Sequence, residues 1–129
     1  MDAEALSALA ENDRRMQVWM LVARRTDSVL YASTATFVEV TDGSLRDARV
    51  RRAVKALRLR EVTEAIGFRA GALRAGAVAS RSKPRDLTVD SIVAATALEL
   101  PPPVVVLTSD VGGLRLLLSD SAIRVESIG

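Results

Sequence analysis

The sequence predicts an α/β fold in which helices cover a parallel sheet. Three observations carry that prediction. Short apolar runs rich in β-branched residues alternate with helical patterns along the whole chain. Hydrophobic residues make up 49% of the sequence but aromatic ones only 3%, so the core is built from Ala, Val, Leu and Ile packing helices on strands. The run Val104 to Leu107 shows no polar alternation, the pattern of a strand covered on both faces. At 129 residues the chain has the length of one domain, 1–129, with material for a single core.

In order, Asp2 to about Glu11 places Ala5, Leu6 and Leu9 on one helical face, and Met16 to Val22 offers a second such face after Asn12-Asp13. Val29 to Ser33, bounded by polar residues, reads as a buried strand. Thr34 to Val40 resumes helical spacing and ends at Asp42-Gly43. Arg46 to Leu57 sets Ala48, Val50, Ala53, Val54 and Leu57 against Arg49, Arg51, Arg52 and Lys55, an amphipathic helix with a basic face. Leu59 to Val62 suits a short strand. Thr63 to Val78 suits a helix in which Gly67, Gly71 and Gly76 each cost about 1 kcal/mol relative to Ala, an expense that close helix contact would explain.

Ser80 to Arg85 forms a basic loop, and Thr88 is placed to cap a helix from Val89 to about Glu99 that Pro101-Pro102-Pro103 terminates. A strand from Val104 to Leu107, a short helix from Leu114 to Leu118 after Gly112-Gly113, and a half-exposed strand from Ala122 to Ile128 complete the chain. Such an order normally opens with a strand feeding the first helix. Here Met1 stands directly before Asp2.

Composition restricts the chemistry. The chain has no cysteine and no histidine, which removes thiolate sites, the usual zinc ligands and the usual general base. Acid/base or metal chemistry then rests on carboxylates, and oxygen-only ligands suit hard cations such as Mg²⁺ or Mn²⁺. The net charge is only +2, but the basic side is almost entirely arginine, whose fork fits phosphate. Neither a signal-peptide pattern nor an apolar run of membrane-spanning length is present, so a cytoplasmic protein with no membrane partner is expected.

Four acids stand at element ends or amid apolar helical residues: Asp2, Glu39, Asp90 and Asp110. In a parallel sheet Asp2, Asp90 and Asp110 fall at carboxyl ends of strands or at adjoining helix starts, where a crevice forms. Carboxylates sharing a crevice repel unless a cation joins them. Such a set, with Thr108 or Ser109 orienting it, is suited to attack on a phosphodiester. Each acid also has a plainer account: Asp2 and Asp90 complement helix dipoles, Asp110 caps a turn or helix, and Glu39 pairs with an arginine of the next helix. The basic helix face and the Arg81, Lys83, Arg85 loop would steer a nucleic-acid backbone, against a solvated face as the ordinary reading. Trp19 and Met20 suit either a protein interface or core filling.

Asp2-Ala-x-Ala-Leu-x-Ala-Leu9, Thr36-Phe-Val-Glu-Val40, Leu87-Thr-Val-Asp-Ser-Ile-Val-Ala-Ala-Thr-Ala-Leu98 and Thr108-Ser-Asp110 together resemble, in order and spacing, the PIN-domain ribonucleases, and among them the VapC-type toxins of bacterial toxin and antitoxin pairs. The resemblance implies a three-layer α/β/α fold around a central parallel sheet. It also implies a Mg²⁺ or Mn²⁺ site, endonucleolytic cleavage of RNA, a homodimer, and inhibition by a cognate antitoxin protein. By motif, Asp2, Glu39, Asp90 and Asp110 would be the catalytic, metal-holding acids.

Two departures stand out. The apolar first strand expected before the first acid is missing, so the true start is expected upstream or the chain is a truncated form; otherwise the Met1 ammonium beside Asp2 competes with the metal. Gly113 occupies a position where many relatives carry a further acid, which lowers the expected metal affinity. Both features also suit an alternative, a degenerate domain that binds a protein partner without nuclease activity. A receiver-like phosphoacceptor would need a lysine at a late strand end, and the only lysines, Lys55 and Lys83, are a helix and a loop residue.

Overall fold

A computed structural model describes residues 1–79 and 86–129; the basic loop with Arg81, Lys83 and Arg85 lies outside the described residues. Helices and strands alternate in the predicted order: α1 (Ala3–Ala10), α2 (Arg14–Arg25), β1 (Tyr31–Ser33), α3 (Phe37–Val40), α4 (Asp47–Ala53), β2 (Arg58–Arg60), α5 (Glu64–Ala79), α6 (Thr88–Leu98), β3 (Val105–Thr108), α7 (Val111–Leu117) and β4 (Arg124–Ser127). The fold is mixed α/β, 58% helical and 11% strand.

Pairing is parallel in both sheets. β1 pairs with β2, Tyr31 opposite Arg58, and β3 pairs with β4, Val105 opposite Arg124. The expected single sheet is replaced, among the described residues, by two sheets of two strands each. Met1 and Asp2 stand between them. The Met1 nitrogen donates to the Tyr31 carbonyl at 2.8 Å, and the Asp2 N–H donates to the Leu107 carbonyl at 3.1 Å. At about 3.3 Å of rise per strand residue, two residues do not span β1 and β3, and the sheets remain separate.

The helices form where capping and apolar spacing agree. Asp2 caps α1, its Oδ1 accepting from the Ala5 N–H at 2.9 Å, and Ala5, Leu6 and Leu9 make the buried face. Asp13 caps α2 in the same way. At α6 the expected cap, Thr88, is instead the first helical residue. Asp86 accepts from its N–H at 2.9 Å, while Leu87 enters the core. The α3 pattern begins with a single 3-10 turn, Thr34–Thr36, in which the Thr36 hydroxyl donates to the Ser33 carbonyl. The turn before α4 needs Gly43, whose φ is +80°; buried Asp47 accepts from the N–H groups of Asp42 and Gly43 at 3.1 and 2.9 Å.

The amphipathic pattern from Arg46 gives a shorter helix than expected, ending in a 3-10 turn over Val54–Ala56. β2 lies earlier than the predicted Leu59–Val62 and is exposed at every residue. Gly67, Gly71 and Gly76 do not mediate close helix contact, because a Cβ at each would meet open space. α5 packs on α6 through Ile66, Ala70 and Leu73 instead.

Two clusters meet at β3. Val106 joins Leu87, Val93, Ala94, Leu114 and Leu117, whereas Leu107 joins Ala5, Leu9, Met16 and Ile128, with Trp19 and Met20 packed against them. Coverage on both faces is the physical reason for the unbroken apolar run. Trp19 fills core and donates through Nε1 to the Ile128 carbonyl at 3.1 Å. α6 is the most buried helix of the first cluster, with Ser91 and Val93 through Ala97 all buried. Among the described residues no helix is long and apolar enough to cross a membrane.

Candidate functional site

An open cavity of about 310 Å³ lies where α1, α3 and α6 begin or end, and Asp2, Glu4, Ser7, Glu39, Asp86 and Asp90 line it. Three of the four acids singled out in the sequence therefore share one cavity, brought there by elements far apart in the chain.

Asp2 is the buried member, 3% exposed. Its backbone N–H is held by Leu107, its carbonyl accepts from Leu6 as the first helical bond, and its carboxyl caps α1. Burial pushes the Asp2 carboxyl above the ordinary aspartate range, against hydrogen bonds from the Thr108 hydroxyl and the Ala5 N–H that favour its charged form. Close by, burial lowers the Met1 ammonium to about 6, with the Asp2 charge opposing that shift. The hydrogen bond of the Met1 nitrogen goes to the Tyr31 carbonyl.

Asp90 sits half-buried in the first turn of α6, and Asp86, just ahead of the helix, lines the same cavity. The Thr88 N–H and hydroxyl hold Asp86 below the ordinary aspartate range. Glu39 is exposed on α3; among the described residues it pairs with no arginine of α4.

Asp110 does not line the cavity. Its side chain accepts from the Gly112 N–H at 3.2 Å and caps α7, which is the plainer account of this residue. Thr108 nevertheless couples Asp110 to the cavity. Its buried hydroxyl donates to the Asp110 carbonyl and accepts from the Asp110 N–H, both at 3.0 Å, and its proximity favours the charged form of Asp2. Gly113 is buried in the first turn of α7.

Glu4 was not among the acids chosen from sequence, nor was Asp86. Glu4 accepts a hydrogen bond from the Ser109 hydroxyl, tying α1 to the end of β3. The signal for Glu4 was spacing: Glu4 and Ser7 lie three apart on the polar side of an otherwise apolar helix. As the side chains lie, no three acids among the described residues stand close enough to ligate one ion.

The basic face of α4 is solvated. Arg49, Arg51, Arg52 and Lys55 are exposed, and the Arg49–Glu11 pair at 3.0 Å is a surface contact of little energetic weight. Compared with known proteins, the chain matches no family model, no curated protein and no solved structure.

Proposed function

We propose that the chain is a metal-dependent endoribonuclease of the VapC-type toxin kind, built on a PIN-like three-layer α/β/α fold. The observation that carries this reading is the meeting of Asp2, Glu39 and Asp90 around one open cavity. Residues 2, 39 and 90 come from three separate helices, and dipole complementation or capping gives them no reason to share a cavity. The donor chemistry fits a hard cation, since among the described residues every charged group lining the cavity is a carboxylate.

Asp2, Glu39 and Asp90 would hold Mg²⁺ or Mn²⁺, with Asp110 acting from the end of β3. A bound cation supplies Lewis acidity and positive charge to an RNA phosphodiester. The chain's own groups do the positioning. Thr108 orients the Asp2 carboxyl and fixes the β3 end, and Ser109 holds Glu4 at the rim. Glu39, on the exposed side, is placed to close over substrate. An RNA substrate, a cognate antitoxin protein, a homodimer and a cytoplasmic setting belong to the same proposal.

The use of Asp110 as a cap favours a second reading, a degenerate domain that binds a protein partner without cleaving RNA. One experiment separates them. RNA is incubated with the protein in Mg²⁺ or Mn²⁺, and cation binding is followed by calorimetry. Cleavage that chelator abolishes, and that Asp90→Asn removes while circular dichroism stays unchanged, supports the nuclease. Cleavage that survives both Asp2→Asn and Asp90→Asn overturns it, and absence of cation binding at millimolar levels leaves the binding module.

A further inference from the structure

A second cavity, of about 590 Å³, opens at the amino ends of β1 and β2, and no residue lining it also lines the acidic cavity. Its walls come from the second half of α2, the residues leading into β1, and the 3-10 turn that leads into β2. Leu9 belongs to the second core cluster, and Met20 and Leu57 pack against that cluster, so the floor is the outer side of a filled core. Ala23 and Leu30 extend this apolar surface to Val29, which is 49% exposed. The volume falls in the range of about 300 to 1,000 Å³ usual for sites that take small molecules.

The charge of this cavity is the reverse of the first. Arg24 on α2, and Lys55 and Arg58 on the segment entering β2, line it, and among the described residues no acid does. All three cations are exposed, and among the described residues none of them forms an ion pair. The backbone that carries them is fixed. The Arg58 N–H donates to the Leu30 carbonyl at 2.8 Å, and the Ser28 N–H donates to the Ala23 carbonyl at 2.9 Å. The second bond closes the turn after α2, where the Thr26 hydroxyl also donates to the Val22 carbonyl at 2.9 Å. The walls thus need little ordering when a ligand enters.

We propose that this cavity binds a small amphiphilic anion, an alkyl or acyl chain ending in a phosphate or carboxylate. The chain lies on Met20, Ala23, Leu30 and Leu57, and the head group meets Arg24, Lys55 and Arg58. Guanidinium forks suit both kinds of head group, and cations beside a low-dielectric surface attract an anion more strongly than cations in open water. A bare phosphate would leave the apolar floor unused. A nucleic-acid backbone would find the cations, but no aromatic side chain lines the cavity for a base to stack on. A bilayer is met by a protruding apolar face, whereas a concave site takes one free molecule. Because the two cavities share no residue, this inference is independent of the nuclease reading.

The test is calorimetry on the 129-residue chain with octyl phosphate, hexyl phosphate, inorganic phosphate and octyltrimethylammonium, each below its micelle concentration. Octyl phosphate is expected to bind, and loss of two methylenes to weaken binding by roughly tenfold. Inorganic phosphate and the ammonium are expected to bind more weakly still. Arg24→Gln and Arg58→Gln each weaken octyl phosphate by about fivefold or more with circular dichroism unchanged, and the amide shifts it causes centre on Val29, Leu30 and Leu57. Equal affinity for octyl phosphate and octyltrimethylammonium, or for octyl phosphate and inorganic phosphate, overturns the proposal, as does absence of octyl phosphate binding at millimolar levels. Shifts gathered at the acidic cavity overturn it too. Sedimentation with phosphatidylglycerol vesicles, without binding of free octyl phosphate, would assign the cations to a lipid surface and also overturn it.

Discussion

The Met1 ammonium links the pH of the solution to the stability of this chain. Its nitrogen is enclosed between the half-sheets and bonded to the Tyr31 carbonyl, and burial lowers it from 8.0 to about 6. A base whose native pKa lies below its unfolded value binds more protons when unfolded, so stability rises with pH across the window between the two values. A two-unit depression corresponds to about 2.7 kcal/mol in total, of which about 2 kcal/mol is gained between pH 6 and pH 8. For a chain of this size that is roughly 6 to 10 °C in melting temperature. The perturbation is acetylation of the α-amine, which keeps the N–H donor to Tyr31 and removes the charge. Urea unfolding followed by circular dichroism at half-unit pH steps gives the curves. The unmodified chain is expected to gain stability from pH 6 to 8, and the acetylated chain to stay flat over the same range. Repeating both in Asp2→Asn isolates the amine, since loss of the opposing Asp2 charge leaves the slope in place or steepens it. A flat curve for the unmodified chain, or an equal slope after acetylation, refutes the reasoning.

Other consequences follow from single side chains. Asp2→Asn keeps an oxygen to accept from Ala5 and removes a carboxyl whose ionisation burial opposes. An acid raised in the native state loses stability as pH climbs above its unfolded value, so the variant is more stable than the parent at pH 7, by about 1.4 kcal/mol for each unit of elevation. That gain vanishes below about pH 4, and thermal melts at pH 3.5 and pH 7 read it directly. Leu114→Ala empties a site of 0% exposure in the larger cluster and costs about 2 to 5 kcal/mol in urea unfolding; a loss under 1 kcal/mol would show that α7 packs loosely. Asp47→Ala strands the N–H groups of Asp42 and Gly43. It costs about 1 to 3 kcal/mol and speeds amide exchange at Gly43, whereas unchanged exchange there would deny the turn its carboxylate anchor.

Much of the fold was legible because it is local. Apolar spacing placed α1, α2, α5 and α6, and the unbroken Val104–Leu107 run announced a strand covered on both faces, since β-branched side chains without alternation have no polar face to show water. Boundaries shifted at the helix starts: α6 begins at Thr88 itself, with Leu87 at the cap position, and Asp110 caps α7 at Val111, three residues before the apolar pattern begins. The glycines of α5 misled, because sequence shows a missing side chain but not whether anything stands opposite it.

The candidate site divides along the same line. Its acids were visible as charges at element ends, a property each residue carries within its own few neighbours. That Asp2, Glu39 and Asp90 face one cavity while Asp110 turns back to cap a helix was settled by where α1, α3 and α6 pack. Glu4 and Asp86 joined the cavity for the same reason. By itself the sequence determined the α/β order, the capping carboxylates and the oxygen-only chemistry, all of which arise from spacing and composition. Only the tertiary structure decided which charges share a cavity and that the described strands pair as two sheets of two, because long-range pairing depends on which backbone edges find a partner.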